Sequence, residues 1–360
     1  MKSANGKILV VLLIVVIIIA AILLGIKFAK DKNVIETIIG KEDNNNSQKE
    51  PTVVEIKEPQ IFKGTDRPIA VMIDNHKSAM PQANLSKAYL VYEMIVEGGE
   101  TRLMALYKGQ DLEKLGPVRS SRHYFLDYAL ENDAIYVHFG FSPQAKNDIA
   151  KLGVNNINGI YESSTSFWRV KDKSAPHNAV TNTKKVLEIA QKDGYKLTSE
   201  KESVLNYVAD PVELESDIIA NTVTIPYSES NTVKYEYDET NKNYVRYSRK
   251  TKQVDWDTKE AVTAKNIIIT FCKNTTLNDG ENKGRQTLDN IKTLKGYYIT
   301  NGKAIEITCE KTSRSGKTLY KDLNGNIIQV NDGNTFIQIC PIDSKVTFEP
   351  GEQISNNNNE

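Results

Sequence analysis

The sequence predicts an α+β protein: a mixed α/β domain, then a mostly antiparallel β domain, behind one N-terminal transmembrane helix. Three observations predict this class. Residues 8–26 are uncharged and nearly all apolar. Strand-like and helix-like segments alternate up to about residue 200. Beyond it, short alternating segments are separated by the turn pairs Asn301-Gly302, Asn324-Gly325 and Asp332-Gly333, which are typical of β-hairpins.

The first 60 residues predict a membrane anchor and a tether. A helix of about 20 apolar residues spans a bilayer core, so residues 8–26 form the predicted transmembrane helix and residues 1–7 a short cytoplasmic N-terminus. Residues 27–60 are charged and Asn-rich, as in a flexible linker. We expect a single-pass membrane protein whose C-terminal domains are extracytoplasmic, although lysines on both flanks of the helix also allow the opposite orientation.

Two domains follow the linker. Residues 61–200 form the predicted α/β domain, residues 201–348 the β-rich domain and residues 349–360 a disordered tail. In the first domain, "RPIAVMID" has the pattern of a strand covered on both faces. "YLVYEMIVEGGETRLMALYK" predicts a hairpin closed on Gly98-Gly99 that pairs position 94 with 103 and places Arg102 beside Glu93 and Glu97.

Helix signals follow the hairpin. Ser120 or Ser121 is the predicted N-cap of a helix with Arg119 and Arg122 on either side of its start. "SPQAKNDIAKLG" predicts a helix with Ser142 as N-cap, Pro143 in its first turn and Gly153 beyond its end. "TKKVLEIAQKDG" predicts another helix, capped by Thr183.

Arginine is scarce in this chain, with nine residues against about four times as many lysines, yet residues 97–125 hold Arg102, Arg119 and Arg122. The planar guanidinium fork matches an oxyanion, and a helix start offers free N–H groups. The sequence therefore predicts a site for phosphate, sulfate or carboxylate, supported by Glu93 and Glu97. The alternative is that these arginines pair with Glu93, Glu97, Asp127 or Glu131 and bind nothing.

The other candidates are polar residues near predicted strand ends and loops. The catalytic candidates are Asp74, His138 and His177, and the further ligand-binding candidates are Asn75, Ser120, Ser121, Arg169 and Asn178. Each also has a structural interpretation, because Asp-Asn is ordinary turn chemistry and a lone histidine is often hydrogen-bonded in a core.

Composition excludes several classes. Lys+Arg and Asp+Glu balance at 46 each, and no basic run occurs, so we expect no nucleic-acid partner. The three cysteines, Cys272, Cys309 and Cys340, are too far apart for a metal framework, so no metal site is predicted, while one disulfide among them stays open. Cys309 has the strand parity of a buried residue.

The chain resembles the YerB-like proteins of Gram-positive bacteria, known as domain of unknown function 3048. The resemblance covers residues 61 to 345 and rests mainly on "RPIAVMIDNH", "VYEMIVEGGETR", "GPVRSSRHYFLD", "DAIYVHFGFSPQA", "SAPHNAVT" and "GYYITNGKAIEITCEK". It implies an envelope protein of two α+β parts with no established activity. Most of these relatives are lipid-modified, whereas this chain lacks the lipid-attachment cysteine after its apolar segment.

Three functions remain open. The first is binding of an anionic envelope ligand by the arginines. The second is a phosphotransferase or hydrolase for lipid-linked glycans, shaped by a distant similarity to the LytR-CpsA-Psr phosphotransferases. In an enzyme of this kind, Asp74 of this chain would hold Mg²⁺ or act as a base, and His138 or His177 would transfer a proton. The third is a scaffold that recruits another envelope protein. No catalytic signature motif decides whether the chain is an enzyme, and no cofactor is predicted apart from Mg²⁺ in the second case.

Overall fold

A computed structural model describes residues 57–351 of the protein. The predicted N-terminus, transmembrane helix, most of the linker and nearly all of the tail lie outside these residues. Within residues 57–351, no helix has the length and apolarity needed to cross a membrane.

Strands dominate the described part of the chain. The α-helices are α1 (Phe125–Glu131), α2 (Pro143–Leu152) and α3 (Thr183–Lys192). Short 3₁₀ turns lie at Lys77–Ala79, Leu85–Lys87 and Glu97–Gly99. The strands, in chain order, are β1 (Ile69–Asp74), β2 (Leu90–Ile95), β3 (Thr101–Tyr107), β4 (Ile135–His138), β5 (Asn156–Asn158), β6 (Trp168–Arg169), β7 (Ala179–Val180), β8 (Tyr207–Val208), β9 (Ile218–Ile219), β10 (Thr222–Ser228), β11 (Asn231–Asp238), β12 (Asn243–Ser248), β13 (Thr251–Lys252), β14 (Thr263–Ala264), β15 (Asn266–Cys272), β16 (Asn274–Thr276), β17 (Gln286–Leu288), β18 (Thr293–Thr300), β19 (Lys303–Glu310), β20 (Leu319–Lys321), β21 (Val330–Asn331), β22 (Thr335–Pro341) and β23 (Thr347–Glu349).

The largest sheet has 11 strands and contains both halves of the chain. Its order is β20-β19-β18-β15-β22-β2-β3-β1-β4-β5, with β9 beside β19. Strand β2, from the first predicted domain, pairs in parallel with β22 from the second, with Met94 opposite Ile339. The two predicted regions therefore share one sheet, and their hydrophobic core is continuous across it.

The second sheet is antiparallel, with the order β13-β12-β11-β10-β23 and with β14 beside β12. In β10, burial alternates strictly, with Val223, Ile225 and Tyr227 buried. One face of this strand therefore packs on the core, and each fully buried side chain of this kind contributes about 1.5–3 kcal/mol. Short strand pairs β6-β7, β8-β21 and β16-β17 complete the structure of the described residues.

Strand β1 agrees with its prediction, because all six of its residues are buried. The hairpin after it was predicted in the wrong register. Met94 pairs with Arg102, not with residue 103, because the Val96 N–H bonds to the Glu100 carbonyl and the loop is one residue longer. Gly98 and Gly99 do supply the positive φ angles of this loop, 67° and 74°.

The register shift moves every residue of β3 to the other face relative to β2. Arg102 therefore shares a face with Met94, while Glu93 lies opposite Leu103 on the other face. The predicted support of Arg102 by Glu93 is wrong for this reason.

The predicted helix start at Ser120 or Ser121 is also wrong, because α1 begins only at Phe125. The Arg119 N–H donates to the Met72 carbonyl and the Ser121 N–H donates to the Gly140 carbonyl. These long-range backbone bonds hold residues 118–121 extended between β1 and the end of β4 and override the local cap signal.

The other two helices agree better with their signals. Ser142 accepts from the Ala145 N–H at 3.2 Å, and Gly153 ends α2 with φ 62°. Helix α3 is capped by Asn182, one residue earlier than predicted, whose side chain accepts from the Lys185 N–H at 2.8 Å.

The three cysteines are buried and free, so the disulfide left open by the sequence does not form. Cys309 is 2% exposed, as its strand parity predicted. Burial raises the thiol pKa of all three, that of Cys272 to about 12, which keeps them protonated and unreactive.

Candidate functional site

Asp74 ends β1 at the carboxyl edge of the sheet, where β1 lies between β3 and the parallel strand β4. Its side chain is 5% exposed. Oδ1 accepts from the His76 N–H at 3.1 Å, and Oδ2 accepts from His177 Nδ1 at 2.7 Å. Arg119 Nε lies 3.1 Å from the same Oδ2, but this N–H is not directed at it, so the contact is an ion pair without a hydrogen bond.

The contact with Asp74 fixes the tautomer of His177. A carboxylate only accepts hydrogen bonds, so Nδ1 carries the hydrogen and Nε2 of the neutral ring keeps its lone pair. The His177 side chain is 17% exposed. This pairing gives the ring one buried, oriented nitrogen and one nitrogen available for proton transfer.

His76 stacks on His177, with ring centroids 4.5 Å apart and an interplanar angle of 15°. Its Nδ1 accepts from the Ser78 N–H at 3.1 Å, which places the ring hydrogen on Nε2. Burial lowers the pKa of His76, and the neighbouring His177 lowers it further against the opposing charge of Glu100. The sequence prediction missed His76 as a site residue.

Arg122 is held by a two-pronged ion pair with Glu97, in which Nη2 lies 2.8 Å from Oε2 and Nε bonds to Oε1. Burial opposes ionisation of Glu97, but the hydrogen bonds and charge of Arg122 keep its pKa below the usual value. Glu97 was predicted to support the arginines, and it contacts Arg122 much more closely than Arg102, whose Nη2 lies 4.0 Å away.

Arg102 is nearly buried and donates to the Ser120 carbonyl. Burial, followed by repulsion from Arg122, lowers the pKa of Arg102 to about 10. Arg119 adds to this lowering, whereas the carboxylates of Glu97 and Asp74 oppose it. The three arginines therefore lie in one cluster with only two carboxylates, Asp74 and Glu97. We call these five residues, together with His76 and His177, the edge cluster.

Several predicted residues lie outside the edge cluster and serve the fold. His138 is fully buried, with its ring nitrogens 2.8 Å from the Gly140 carbonyl and 3.0 Å from Asn156 Oδ1, and burial lowers its pKa. Ser120 Oγ donates to the Phe139 carbonyl at 3.0 Å, and Ser121 Oγ accepts from Tyr136 at 2.9 Å.

Arg169 and Asn178 shape the loop that carries His177. Arg169 Nη1 donates to Asn178 Oδ1 at 2.6 Å, and the Asn178 amide donates to the Val170 and Lys173 carbonyls at 3.1 Å each. Strands β6 and β7 close this loop, and the Val118 N–H binds it to the sheet through the Ala179 carbonyl at 2.7 Å. Asn178 is fully used in positioning this loop, whereas Arg169 is exposed and bonds through Nη1 alone.

Asn75 and Glu93 belong to an internal network. The Asn75 amide donates to Glu93 at 3.0 Å and to Thr101 at 2.8 Å. Glu93 forms an ion pair with Arg246 at 2.6 Å, and both side chains are fully buried. Neither predicted residue reaches an open site.

The sequence prediction missed Arg246, Arg249 and Glu100. Arg249, the residue after β12, pairs with Glu100 and donates to the Asn75 carbonyl at 3.0 Å. These contacts hold the end of β12 against the loop that follows β1. The scarcity of arginine that singled out residues 102, 119 and 122 applies equally to residues 246 and 249. The scarcity of arginine could therefore have pointed to Arg246 and Arg249, but it could not have predicted their partners.

The edge cluster does not fit a divalent cation. Within residues 57–351, no group of three His, Cys, Asp or Glu side chains is placed to hold a metal ion. The Asp74 oxygens already face His177, Arg119 and the His76 N–H, and guanidinium groups repel a cation. The Mg²⁺ considered for the enzymatic alternative is therefore disfavoured here.

Comparison with known proteins gives consistent matches. The model of the DUF3048 N-terminal domain, a protein family of unknown function, matches residues 55–196, and that of its C-terminal domain matches residues 223–337. The Bacillus subtilis (strain 168) protein described as "Putative lipoprotein YerB" is 32% identical over 302 residues, which cover 80% of this chain and 85% of that protein. The chain belongs to the DUF3048 family. The family predicted from the sequence motifs is thus confirmed.

A crystal structure of YerB from Bacillus subtilis matches the fold of this DUF3048 protein with a TM-score of 0.68 at 30% identity, covering 79% of this chain and 94% of that one. Asp74, Arg119 and His177 lie in the segment matched by the N-terminal family model. Arg246 and Arg249 lie in the segment matched by the C-terminal model. Both DUF3048 domains therefore contribute residues to, or directly behind, the edge cluster.

Proposed function

We propose that this DUF3048 protein binds an anionic envelope ligand, a phosphate or a glycan-phosphate, at the edge cluster. One observation carries the proposal: three guanidinium groups share two carboxylates, and the Arg119 side chain remains 24% exposed. Burial is the main cause of the lowered pKa of Arg102, and repulsion from Arg122 and Arg119 adds to it, a repulsion that a bound anion would offset.

The arginines have different roles in this proposal. Arg122 is committed to Glu97, and Arg102 is too deeply buried to contact a ligand well. Arg119 makes only an undirected ion pair with Asp74 and a long 3.4 Å contact with the Pro176 carbonyl, so its donors are the most available. The ligand contact is therefore assigned to Arg119 and His177, while Arg102 and Arg122 raise the local potential.

Titration calorimetry with sulfate, inorganic phosphate and a teichoic-acid fragment tests this function. Arg119→Ala should lower the affinity about tenfold or more, because a hydrogen bond to a charged group contributes roughly 1.5–3 kcal/mol. Arg119→Lys should recover only part of it, since the ammonium lacks the planar fork. Lys151→Ala is the matched control, since it removes one positive charge from an exposed position on α2. Equal affinity in all four proteins would refute the proposal.

A second candidate function is a hydrolase or transferase acting on phosphate esters of lipid-linked envelope glycans. The 2.7 Å contact between Asp74 and His177 Nδ1 favours it, because it orients His177 Nε2 to accept a proton from water or from an acceptor hydroxyl, with Arg119 beside the reacting phosphate. Turnover should fall about 10²–10⁴-fold in Asp74→Asn and in His177→Gln. Ligand binding without any turnover in wild-type protein would leave only the binding function.

We also infer that the protein is held at the outer face of the cell membrane. The B. subtilis relative is described as a lipoprotein, and residues 8–26 of this chain are apolar over a length that spans a bilayer. Protease added to intact cells should digest residues 57–351, and removal of residues 1–26 should release the remainder from the membrane fraction. Protection in intact cells would contradict this location.

A further inference from the structure

A cavity of about 550 Å³ lies at the opposite end of β1 from Asp74. It is bounded by Ile69, the first residue of β1, by Tyr107, the last residue of β3 and its pairing partner, and by one side of α3. Binding pockets for small molecules usually measure about 300–1,000 Å³. The cavity therefore has the size of a ligand site, and it is separate from the edge cluster.

One side of helix α3 lines this cavity. Its buried residues, Val186, Ile189 and Ala190, pack on the core. Leu187 and the exposed Gln191 are four residues apart, so they lie on the same face of the helix, and both line the cavity. Leu187 and Leu197 supply apolar walls, and the outer rim is open to solvent through Lys184, Glu188 and Gln191.

The charges of the lining balance, unlike those of the edge cluster. Three cationic side chains and three carboxylates line the cavity: Arg67, Lys108, Lys184, Asp66, Asp111 and Glu188. An anion gains no net attraction here, and a wholly apolar ligand would desolvate this charged rim. The balance favours a neutral ligand that can both donate and accept hydrogen bonds.

Polar groups of the rim support a ligand of that kind. Lys184 and Gln191 are exposed and line the cavity. Within residues 57–351, their side chains make no hydrogen bond or ion pair with the protein, so a ligand can replace their contacts with water without breaking an internal bond.

We propose that this cavity binds a neutral saccharide of one or two rings. Sugar hydroxyls both donate and accept, which matches the ammonium, carboxylate and amide groups of the rim, and the C–H face of a sugar ring would pack on Leu187 and Leu197. This inference does not depend on the proposed anion site, since no residue is shared between them.

Saturation-transfer NMR and calorimetry on the full-length chain in detergent, with N,N′-diacetylchitobiose as probe, test this proposal. Gln191→Leu should weaken binding about fivefold, the effect of one lost hydrogen bond. Leu187→Trp should abolish it by filling the cavity. Lys192→Leu, the neighbouring exposed position outside the cavity, is the matched control and should stay within about twofold of wild type.

The outcomes are separable from those of the anion site. Arg119→Ala should leave disaccharide binding unchanged, and phosphate should not compete for it. The proposal is overturned if the disaccharide does not bind, if all three α3 variants bind equally, or if phosphate or glycine displaces the sugar from the cavity.

Discussion

Two buried carboxylates, on strands β1 and β2 on either side of β3, have very different partners in this molecule. Glu93 on β2 accepts from Asn75, from Thr101 at 2.7 Å and from Arg246, and all four side chains are buried. Asp74 on β1 is equally buried, but its partners His177 and Arg119 are partly exposed.

The difference teaches that a cluster of charges is a candidate site only where some of its hydrogen-bonding capacity remains unused. Around Glu93, Arg246 Nε also donates to Tyr235, and another nitrogen bonds to Gln253, so each of the three guanidinium nitrogens has a directed partner. Around Asp74, His177 Nε2 and much of the Arg119 guanidinium have no directed partner in the described chain.

A second internal pair has the same character as Glu93–Arg246. Glu131 accepts from Lys311 at 2.7 Å, from Thr318 Oγ1 at 2.6 Å and from Tyr92 at 2.8 Å, and its ion pair is buried. Both internal pairs connect the first half of the chain to the second. They fix how the two halves join in one sheet, which is a structural role.

The largest effect should come from breaking the internal pair. Arg246→Met leaves Glu93 charged and buried without a cation, so the free energy of unfolding in urea should fall by about 3–5 kcal/mol. Arg119→Met, at the edge cluster, should cost on the order of 1 kcal/mol or less, since that pair is partly solvated. The double variant Glu93→Gln/Arg246→Met should recover part of the loss. Equal losses for the two arginines would contradict the contrast between the clusters.

The second prediction is a gain of phosphate affinity at the edge cluster. Glu97→Gln removes the carboxylate that occupies Arg122, so phosphate affinity at the edge cluster should rise about fivefold, which corresponds to about 1 kcal/mol. Calorimetry measures this directly. Glu281→Gln, which removes the same charge beside Arg285, is the control and should change nothing. An unchanged or weaker affinity in Glu97→Gln would show that Arg122 does not contribute to the potential.

Local signals in the sequence predicted the parts of the fold that local chemistry decides. Strand β1, the Ser142 cap and the Gly153 end of α2 depend on residues close in sequence, and all agree with the structure. The same is true of Asp74, which strand patterning placed at the edge of the sheet. The family was predicted from short sequence motifs, which are also local.

The errors have long-range causes. Residues 118–121 are extended because they pair with Met72 and Gly140, which no cap signal at Ser121 reveals. The hairpin register depends on a loop one residue longer than the Gly98-Gly99 pair suggested. Asp74 and His177 were both named from sequence, but their contact joins segments far apart in the chain and follows from the way the β6–β7 loop is bound to the sheet.

The smallest effect should appear in the pH dependence of stability at the edge cluster. The folded-state pKa of His76 is lowered by burial, so the unfolded chain binds a proton more readily than the folded one. The contribution of His76 to stability is therefore complete above the unfolded pKa of about 6.5 and is lost as the pH falls toward the folded value. Protonation would also break the bond that Nδ1 accepts from the Ser78 N–H.

His76→Asn isolates this effect, because an Asn side chain also accepts from an N–H two residues on but does not titrate in this range. Urea unfolding of wild type and variant between pH 7 and pH 5 should show a steeper loss of stability in wild type. The difference should lie below the limit of about 1.4 kcal/mol per pH unit for one group, since His76 is only partly buried. Parallel pH profiles of the unfolding free energy would contradict this prediction. They would mean that protonation of His76 does not destabilise the folded edge cluster, so the stacked histidines tolerate a positive charge beside Arg119.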